Sequence, residues 1–201
     1  MLCKIARPSD PGRVAEEEVP VALDVFLMLS RDAAGVQLPT QDEVHDSGLQ
    51  DASGYFVELK SYHFGVTNVS PASSKSGGAG AGRANFNDLI VTKQVDQLTP
   101  SLMLACANGA PFGEMKLMAR RAGAAAGKTA DCYLVYSLKQ VVVKSVTWAS
   151  ANADDVPEEH VALAYGALKV EYRPQDKTGK LMVGVSSAWS VVLNQPTYAT
   201  T

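Results

Sequence analysis

From Leu23 the chain alternates. Leu23, Val25, Leu27 and Leu29 share one parity, and Asp24, Phe26, Met28 and Ser30 share the other. Period two predicts a strand with one buried face. Tyr55, Val57 and Leu59 repeat the pattern, then Tyr62 and Phe64 continue it on the opposite parity, so the segment Tyr55 to Val69 is expected to be extended. Phe86 to Lys93, Met115 to Arg121, Asp131 to Trp148, His160 to Tyr172 and Met182 to Leu193 complete a predicted set of about seven strands.

Two local signals refine that picture. Within His160 to Tyr172, Val161, Leu163 and Tyr165 lie on one parity, whereas Leu168, Val170 and Tyr172 lie on the other. A strand cannot exchange its apolar face this way unless it bulges, bends or changes packing layer. Gly166-Ala167 sits at the switch, where the missing side chain tolerates such geometry. The second signal is a short helix. Thr99 is an expected N-cap, and Pro100 fits the first helical position, where a missing N–H costs nothing. Gly109 suits a left-handed C-terminal cap. The predicted helix covers residues 100–108, with Leu102, Ala105 and Cys106 available to one apolar face.

Between these elements the chain is polar or small. Residues 1–21 read as a flexible arm and 31–53 as a long loop or extended hairpin; 70–82, rich in Ser, Gly and Ala, read as a flexible loop. The length of 201 residues favours one domain with appended tails. A hydrophobic share of 46% is enough for a real core and too high for a disordered chain. The net charge of -3 offers no basic footprint for nucleic acid or an anionic membrane. No stretch approaches the roughly 18 apolar residues of a membrane span. Arg7 to Pro20 hold three prolines and Glu16-Glu17-Glu18 where a signal peptide would be apolar. Synthesis in the cytoplasm, and any export by a route that reads no cleavable peptide, are therefore expected. Cys3, Cys106 and Cys132 are odd in number and widely spaced, against a disulfide framework. Cys106 and Cys132 read as small buried hydrophobes.

Several motifs invite a chemical reading and lose it in context. Ala122 to Thr129 ends in Gly127-Lys128-Thr129, close to a phosphate loop. That chemistry needs a helix opening at the Lys-Thr step, but Cys132-Tyr133-Leu134-Val135-Tyr136 follows, which prefers strand. A hairpin loop is the better reading, and a nucleotide-binding enzyme is only a remote alternative. Gly77 to Gly82 lacks dinucleotide-loop spacing. Ser186 has a near nucleophile-elbow neighbourhood but lies inside an alternating strand. His45, His63 and His160 share no metal-ligand spacing. Asp154, Asp155, Glu158 and Glu159 are expected to form a solvated turn. Trp148 and Trp189 are expected as core or interface anchors. No catalytic residue, cofactor or metal is assigned.

Taken jointly, several stretches resemble the haemolysin-coregulated protein (Hcp) family, the tube proteins of bacterial type VI secretion. They are Leu23 to Leu27, Ser61-Tyr62-His63-Phe64-Gly65-Val66, and Arg83-Ala84-Asn85-Phe86 behind its Gly-rich loop. Thr92-Lys93-Gln94-Val95-Asp96 followed by Thr99-Pro100-Ser101-Leu102-Met103 is the most specific, with Lys116 to Gly123, Leu138 to Val146, and Val161 to Gln175 adding to it. The resemblance spans residues 22–195. It implies a mainly β fold, a small barrel of two packed antiparallel sheets with one short helix at about 100–108, assembling into a hexameric ring. Residues 1–21 would be an arm and 196–201 a tail. The matching structural positions are Phe86, Thr92, Lys93, Asp96, Pro100, Leu102, Gly109, Val170, Tyr172 and Trp189. The loop after Asp32 is longer than the family's usual one, and Val36, Leu38, Asp42, Glu43 and Leu49 are its candidate ring-stacking residues. The implied function is structural: stacked homohexameric rings, secreted by type VI secretion, with sheath and spike proteins as partners and effectors carried in the lumen. A carrier ring that mainly chaperones an effector is the alternative. Neither involves nucleic acid or membrane insertion.

Overall fold

The computed structural model describes residues 23–30, 35–39, 54–68, 84–121, 132–150, 156–177 and 180–201. Residues 1–21, expected as an arm, the Gly77 to Gly82 run and the Gly127-Lys128-Thr129 loop lie outside the described residues.

The first expected strand forms as β1, Leu23–Ser30. It pairs antiparallel with β2, Gly54–Glu58, on one side. Two short strands follow, β3 at Ser61–His63 and β4 at Val66–Asn68, then β5 at Ala84–Phe86 and β6 at Leu89–Gln94. The helix α1 spans Thr99–Asn108. After it come β7 at Phe112–Arg121, the 16-residue β8 at Leu134–Ala149, β9 at Glu158–Ala164, β10 at Ala167–Tyr172 and β11 at Val185–Ser190. Every pairing among the described residues is antiparallel.

One sheet reads β2-β1-β7-β8-β10-β11 and the other β8-β9-β6-β3, so β8 belongs to both. The first half of β8 lies between β7 and β10, and its second half pairs with β9. β9 and β10 run along the same side of β8, and the register is continuous across their junction, where Val142 faces Ala164 and Lys139 faces Ala167, before a bulge between Val143 and Ser145 shifts it. Between those pairs both chains turn a corner. Gln140 adopts φ 54°, and the Gly166 N–H donates to the Lys139 carbonyl at 2.8 Å. The parity switch at Gly166-Ala167 thus marks a passage between sheets. Space is tight there: a Cβ on Gly166 would stand 2.9 Å from Gln140 Oε1 and 3.1 Å from both Gln140 Cβ and Thr200 Cγ2, so these side chains would have to give way.

The expected strand from Tyr55 to Val69 turns a second corner and is therefore three strands. The Leu59 N–H donates to the Val25 carbonyl in one sheet, and the next residue, Lys60, donates to Thr92 in the other, each at 2.8 Å. The shift in parity between Leu59 and Tyr62 carries that change of layer, as it does at Gly166. These corners correct the expectation of a barrel. Among the described residues one sheet ends at β2 and β11 and the other at β3, and β1 is not hydrogen-bonded to β6. Bent chain, not a paired seam, joins the layers, and the result is two packed sheets that do not close.

The core lies between the layers. Leu29, Leu89, Phe112, Met115, Leu138, Val141 and Leu163 are fully buried there, beside Leu98, Leu102 and Ala105 from the helix and the turn before it. β1 departs from its expected single buried face. Across the ladder Phe26 faces Met118 and Met28 faces Phe56. With Cys132 these form a second, smaller apolar cluster on the sheet's other side. Residues 196–201, expected as a tail, lie against that sheet. The Tyr198 hydroxyl hydrogen-bonds Glu114 Oε1 at 3.0 Å, and Lys139 Nζ stands 4.5 Å from its ring centre.

Candidate functional site

The positions most specific to the motif converge on the start of α1. Lys93 has the parity of Leu89 and Val91, whose side chains face the core, so its ammonium is carried inward; its side chain is 1% exposed. Its partner across the ladder is Glu159, on the parity of Val161 and Leu163 and completely buried. Lys93 Nζ meets Glu159 Oε1 at 2.5 Å, Asp96 Oδ1 at 2.7 Å and the Gln94 carbonyl at 2.9 Å. The Thr99 hydroxyl donates to Glu159 Oε1 at 3.0 Å, and the Trp148 indole donates to Oε2 at 3.1 Å. Both carboxylate oxygens and the ammonium are therefore satisfied, the condition for keeping such charges in a core.

This network fixes how the helix begins. Asp96 Oδ1 accepts the Leu98 N–H at 2.8 Å, and the Asp96 N–H donates to the Thr99 hydroxyl at 3.2 Å. The helix opens one residue earlier than expected: Leu98 holds the N-cap position and Pro100 the second helical one. Thr99 makes no cap because its hydroxyl is engaged by Glu159 and Asp96. Gly109 closes the helix as expected, in the left-handed region at φ 66°. Leu102 is buried beneath it.

The acidic cluster at the start of β9 divides. Glu159 is no part of a solvated turn; it is the network's anion. Glu158, on the other parity, pairs with Lys60 at 2.7 Å on the surface. Asp154 and Asp155 lie outside the described residues. The signal for Glu159 was its parity with Val161 and Leu163, matched by that of Lys93 with Leu89 and Val91.

The other expected positions are scattered. Thr92 Oγ1 lies 3.0 Å from His160 Nδ1 on the outer side of β6 and β9. His63 and Ser186 are exposed on β3 and β11, and His45 is outside the described residues. No group of three or more His, Cys, Asp or Glu among the described residues is placed to hold a metal. Val36 is buried and Leu38 packs against the core, with the Gln37 carbonyl accepting from the Ser101 hydroxyl at 2.7 Å. Asp42, Glu43 and Leu49 lie outside the described residues.

Phe86, Val170 and Trp189 line one cavity between the β4–β5 ribbon and the β10–β11 pair, and Tyr172 lies further along β10, its ring against Tyr133. Leu168 faces Trp189, Val170 faces Ser187 and Tyr172 faces Val185, all on the core side of their sheet. Burial fades along this series: Leu168 is 7% exposed, Tyr172 47% and Val185 69%. The opposite side of β10 is charged. There Arg173, hydrogen-bonded to Glu171, holds the Glu171 carboxyl below its usual range, with Lys169 assisting. Among the described residues β11 pairs with β10 and, at its last residue, through a Ser190–Gln195 bridge, which leaves the rest of its outer edge unpaired.

Fold and site together define a class: a two-layer antiparallel β domain with one helix pinned to its flank by a buried ion-pair network. A solved structure described as that of a type six secretion system protein shares the fold at a TM-score of 0.69 and 23% identity, covering 87% of this chain and 99% of that one. Hcp1 from Salmonella typhimurium shares it at a TM-score of 0.59 and 20% identity, covering 87% and 98%. At the level of sequence, the family model described as "Type VI secretion system effector, Hcp" matches residues 45–172. Protein hcp1 of Pseudomonas aeruginosa is 35% identical over 113 residues, which are 56% of this chain and 68% of that protein. The chain belongs to the Hcp family, the tube proteins of type VI secretion.

Proposed function

We propose that this chain is a structural subunit of the type VI inner tube. Six copies close into a ring, rings stack within the sheath behind the spike, and the assembly leaves the producing cell with effectors in its lumen. No side chain acts as acid, base or nucleophile in this reading; the work is done by surfaces. Membership of the Hcp family carries the proposal. The mostly unpaired outer edge of β11 and the apolar side chains exposed beside it are consistent with it, since an unpaired edge invites a neighbour. Of the long loop's candidates, Asp42, Glu43 and Leu49 are assigned to contacts between rings, whereas Val36 and Leu38 pack into the chain's own core. Export needs no cleavable peptide in this scheme.

Negative-stain imaging of the purified protein tests the reading. Annular particles with six-fold symmetry are expected, and single particles at every concentration would refute it. Secretion that depends on an intact type VI apparatus, followed in culture supernatants, tests the second half.

A further inference from the structure

Residues 191–201 lie beyond the stretch matched by the family model, and they reach a site of their own. They leave β11 through a tight reversal. The Val191 and Val192 N–H groups donate to the Gly166 carbonyl, Ser190 and Gln195 exchange backbone hydrogen bonds, and Asn194 sits in the left-handed region at φ 55°. The segment then crosses to the charged outer face of β7, β8 and β10. Past Gln195, the hydrogen bonds that tie it to that face come from one side chain, Tyr198. Its hydroxyl donates to Glu114 Oε1 at 3.0 Å, the Ser137 side chain hydrogen-bonds the same phenol, and the Lys139 ammonium stands 4.5 Å from the ring centre. Together these groups recognise a tyrosine: the carboxylate reads its O–H and the ammonium reads its π face.

The segment uses only part of what this face offers. An open cavity of about 340 Å³ adjoins Tyr198. Met28, Met118 and Val135 give it an apolar lining, and the remaining walls are charged. Lys169 and Arg173 share the single Glu171 carboxylate, at 3.4 Å and 2.6 Å. Lys116 pairs at 3.3 Å with Glu114, the carboxylate that Tyr198 already engages. With Lys139, four cationic side chains surround two carboxylates. Yet the sequence from Val191 to Thr201, VVLNQPTYATT, holds no acidic side chain to answer them. It fills the tyrosine subsite and brings nothing to the cations beside it.

We infer that this face docks a peptide segment carrying a tyrosine among acidic residues, and that the chain's own residues 196–201 are an internal stand-in which such a segment displaces. The tyrosine subsite sets the register, and the excess of cations supplies charge complementarity that the stand-in lacks. Displacement needs little of the fold to open. The reversal at Ser190 and Gln195 stays paired, and only the residues held by Tyr198 swing away. While the stand-in is seated the subsite is occupied, so apparent affinity falls by the fraction of molecules in which it is open. The inference goes beyond the tube reading and does not depend on ring formation.

A fluorescein-labelled peptide, Glu-Glu-Tyr-Glu-Glu, is the probe, titrated into the full chain and followed by fluorescence anisotropy. Saturable binding to the wild type is expected, and binding about tenfold tighter to Tyr198→Ala, whose stand-in no longer competes. The peptides Glu-Glu-Phe-Glu-Glu and Lys-Lys-Tyr-Lys-Lys should each bind Tyr198→Ala at least tenfold more weakly than the probe. Lys169→Glu, added to Tyr198→Ala, should remove the preference for the acidic peptide. Should Tyr198→Ala unfold, the wild type still decides. Fluorine NMR of the protein made with fluorotyrosine, its Tyr198 signal assigned by Tyr198→Phe, should show that signal move to a solvent-exposed position as the probe is added. Equal affinity of wild type and Tyr198→Ala, or a Tyr198 signal that stays put at saturation, would overturn the stand-in. No binding to a folded Tyr198→Ala, or indifference between the tyrosine and phenylalanine peptides, would overturn the docking surface.

Discussion

Lys93 and Glu159 face each other directly across the β6–β9 ladder, and both side chains are withdrawn from solvent. Their attraction offsets a large desolvation cost only while every polar atom stays engaged. Lys93→Met would strand the Glu159 carboxylate beside the two hydroxyl and indole donors, without its counter-charge. The expected cost is about 3–5 kcal/mol of stability. Adding Glu159→Leu should recover part of that loss, though Thr99 and Trp148 then lose an acceptor. Urea unfolding of both variants at one fixed protein concentration checks this. A single substitution costing under about 1 kcal/mol would show that the pair does not hold the helix.

Gly166 is constrained by its neighbours. Its carbonyl accepts the N–H groups of Val191 at 2.8 Å and Val192 at 3.1 Å, and the Gln140 side chain presses where a Cβ would be. Gly166→Ala is expected to cost about 1–3 kcal/mol through overpacking at the corner. Gly166→Ala with Gln140→Gly should recover most of it, since the smaller residue also suits the positive φ at position 140. Thermal unfolding of the two variants decides whether space is the cause.

Much of this architecture was legible from parity. The strand at Leu23 to Ser30, the face exchange at Gly166 and the closing glycine of the helix all appear in the structure, although β1 buries both of its faces and not one. The same rule, carried further, would have found the second corner at Leu59-Lys60 and the burial of Lys93 and Glu159. Charge obscured it: an acidic run before a strand reads as solvated unless its parity is compared with the apolar residues that follow. The second cluster around Phe26 was hidden for another reason. It depends on which strands become neighbours, and Met118 and Phe56 are distant in sequence. Closure was the remaining error. Strand number and alternation do not distinguish a paired seam from a bent corner, because both bury the same face.

Gly109 offers a cleaner backbone test. Its φ of 66° is unfavourable for a side chain, yet nothing lies within 4 Å of the position a Cβ would take. Gly109→Ala should therefore cost about 1 kcal/mol from conformation alone, and Gly109→Val more, because β-branching worsens the left-handed region. Gly109→Asn should fall between glycine and alanine. Chemical denaturation midpoints give the order, and alanine equal to glycine would mean that the helix end relaxes out of this conformation.

The protein is expected to lose stability in alkali because its buried tyrosines resist ionisation. Burial, with the Asp88 carboxylate nearby, pushes the Tyr165 phenol from 10.0 to about 12. Burial and the Glu114 carboxylate raise that of Tyr198 as well. In the unfolded chain these phenols release their protons near pH 10, while the folded protein still holds them. The folded state then binds more protons, so their contribution is intact below about pH 10 and is lost as pH climbs towards 12 and beyond. Tyr165→Phe removes one such proton and forfeits the hydrogen bond its hydroxyl donates to the Asn87 carbonyl at 3.1 Å. The variant should accordingly be less stable than the wild type at pH 8, by about 1 kcal/mol. Between pH 10 and 12 its stability should fall less steeply, and the gap between the two proteins should narrow. Urea midpoints across that range, with phenolate absorbance followed in parallel, measure both slopes. Equal slopes would show that Tyr165 ionises as freely in the folded protein as in the open chain.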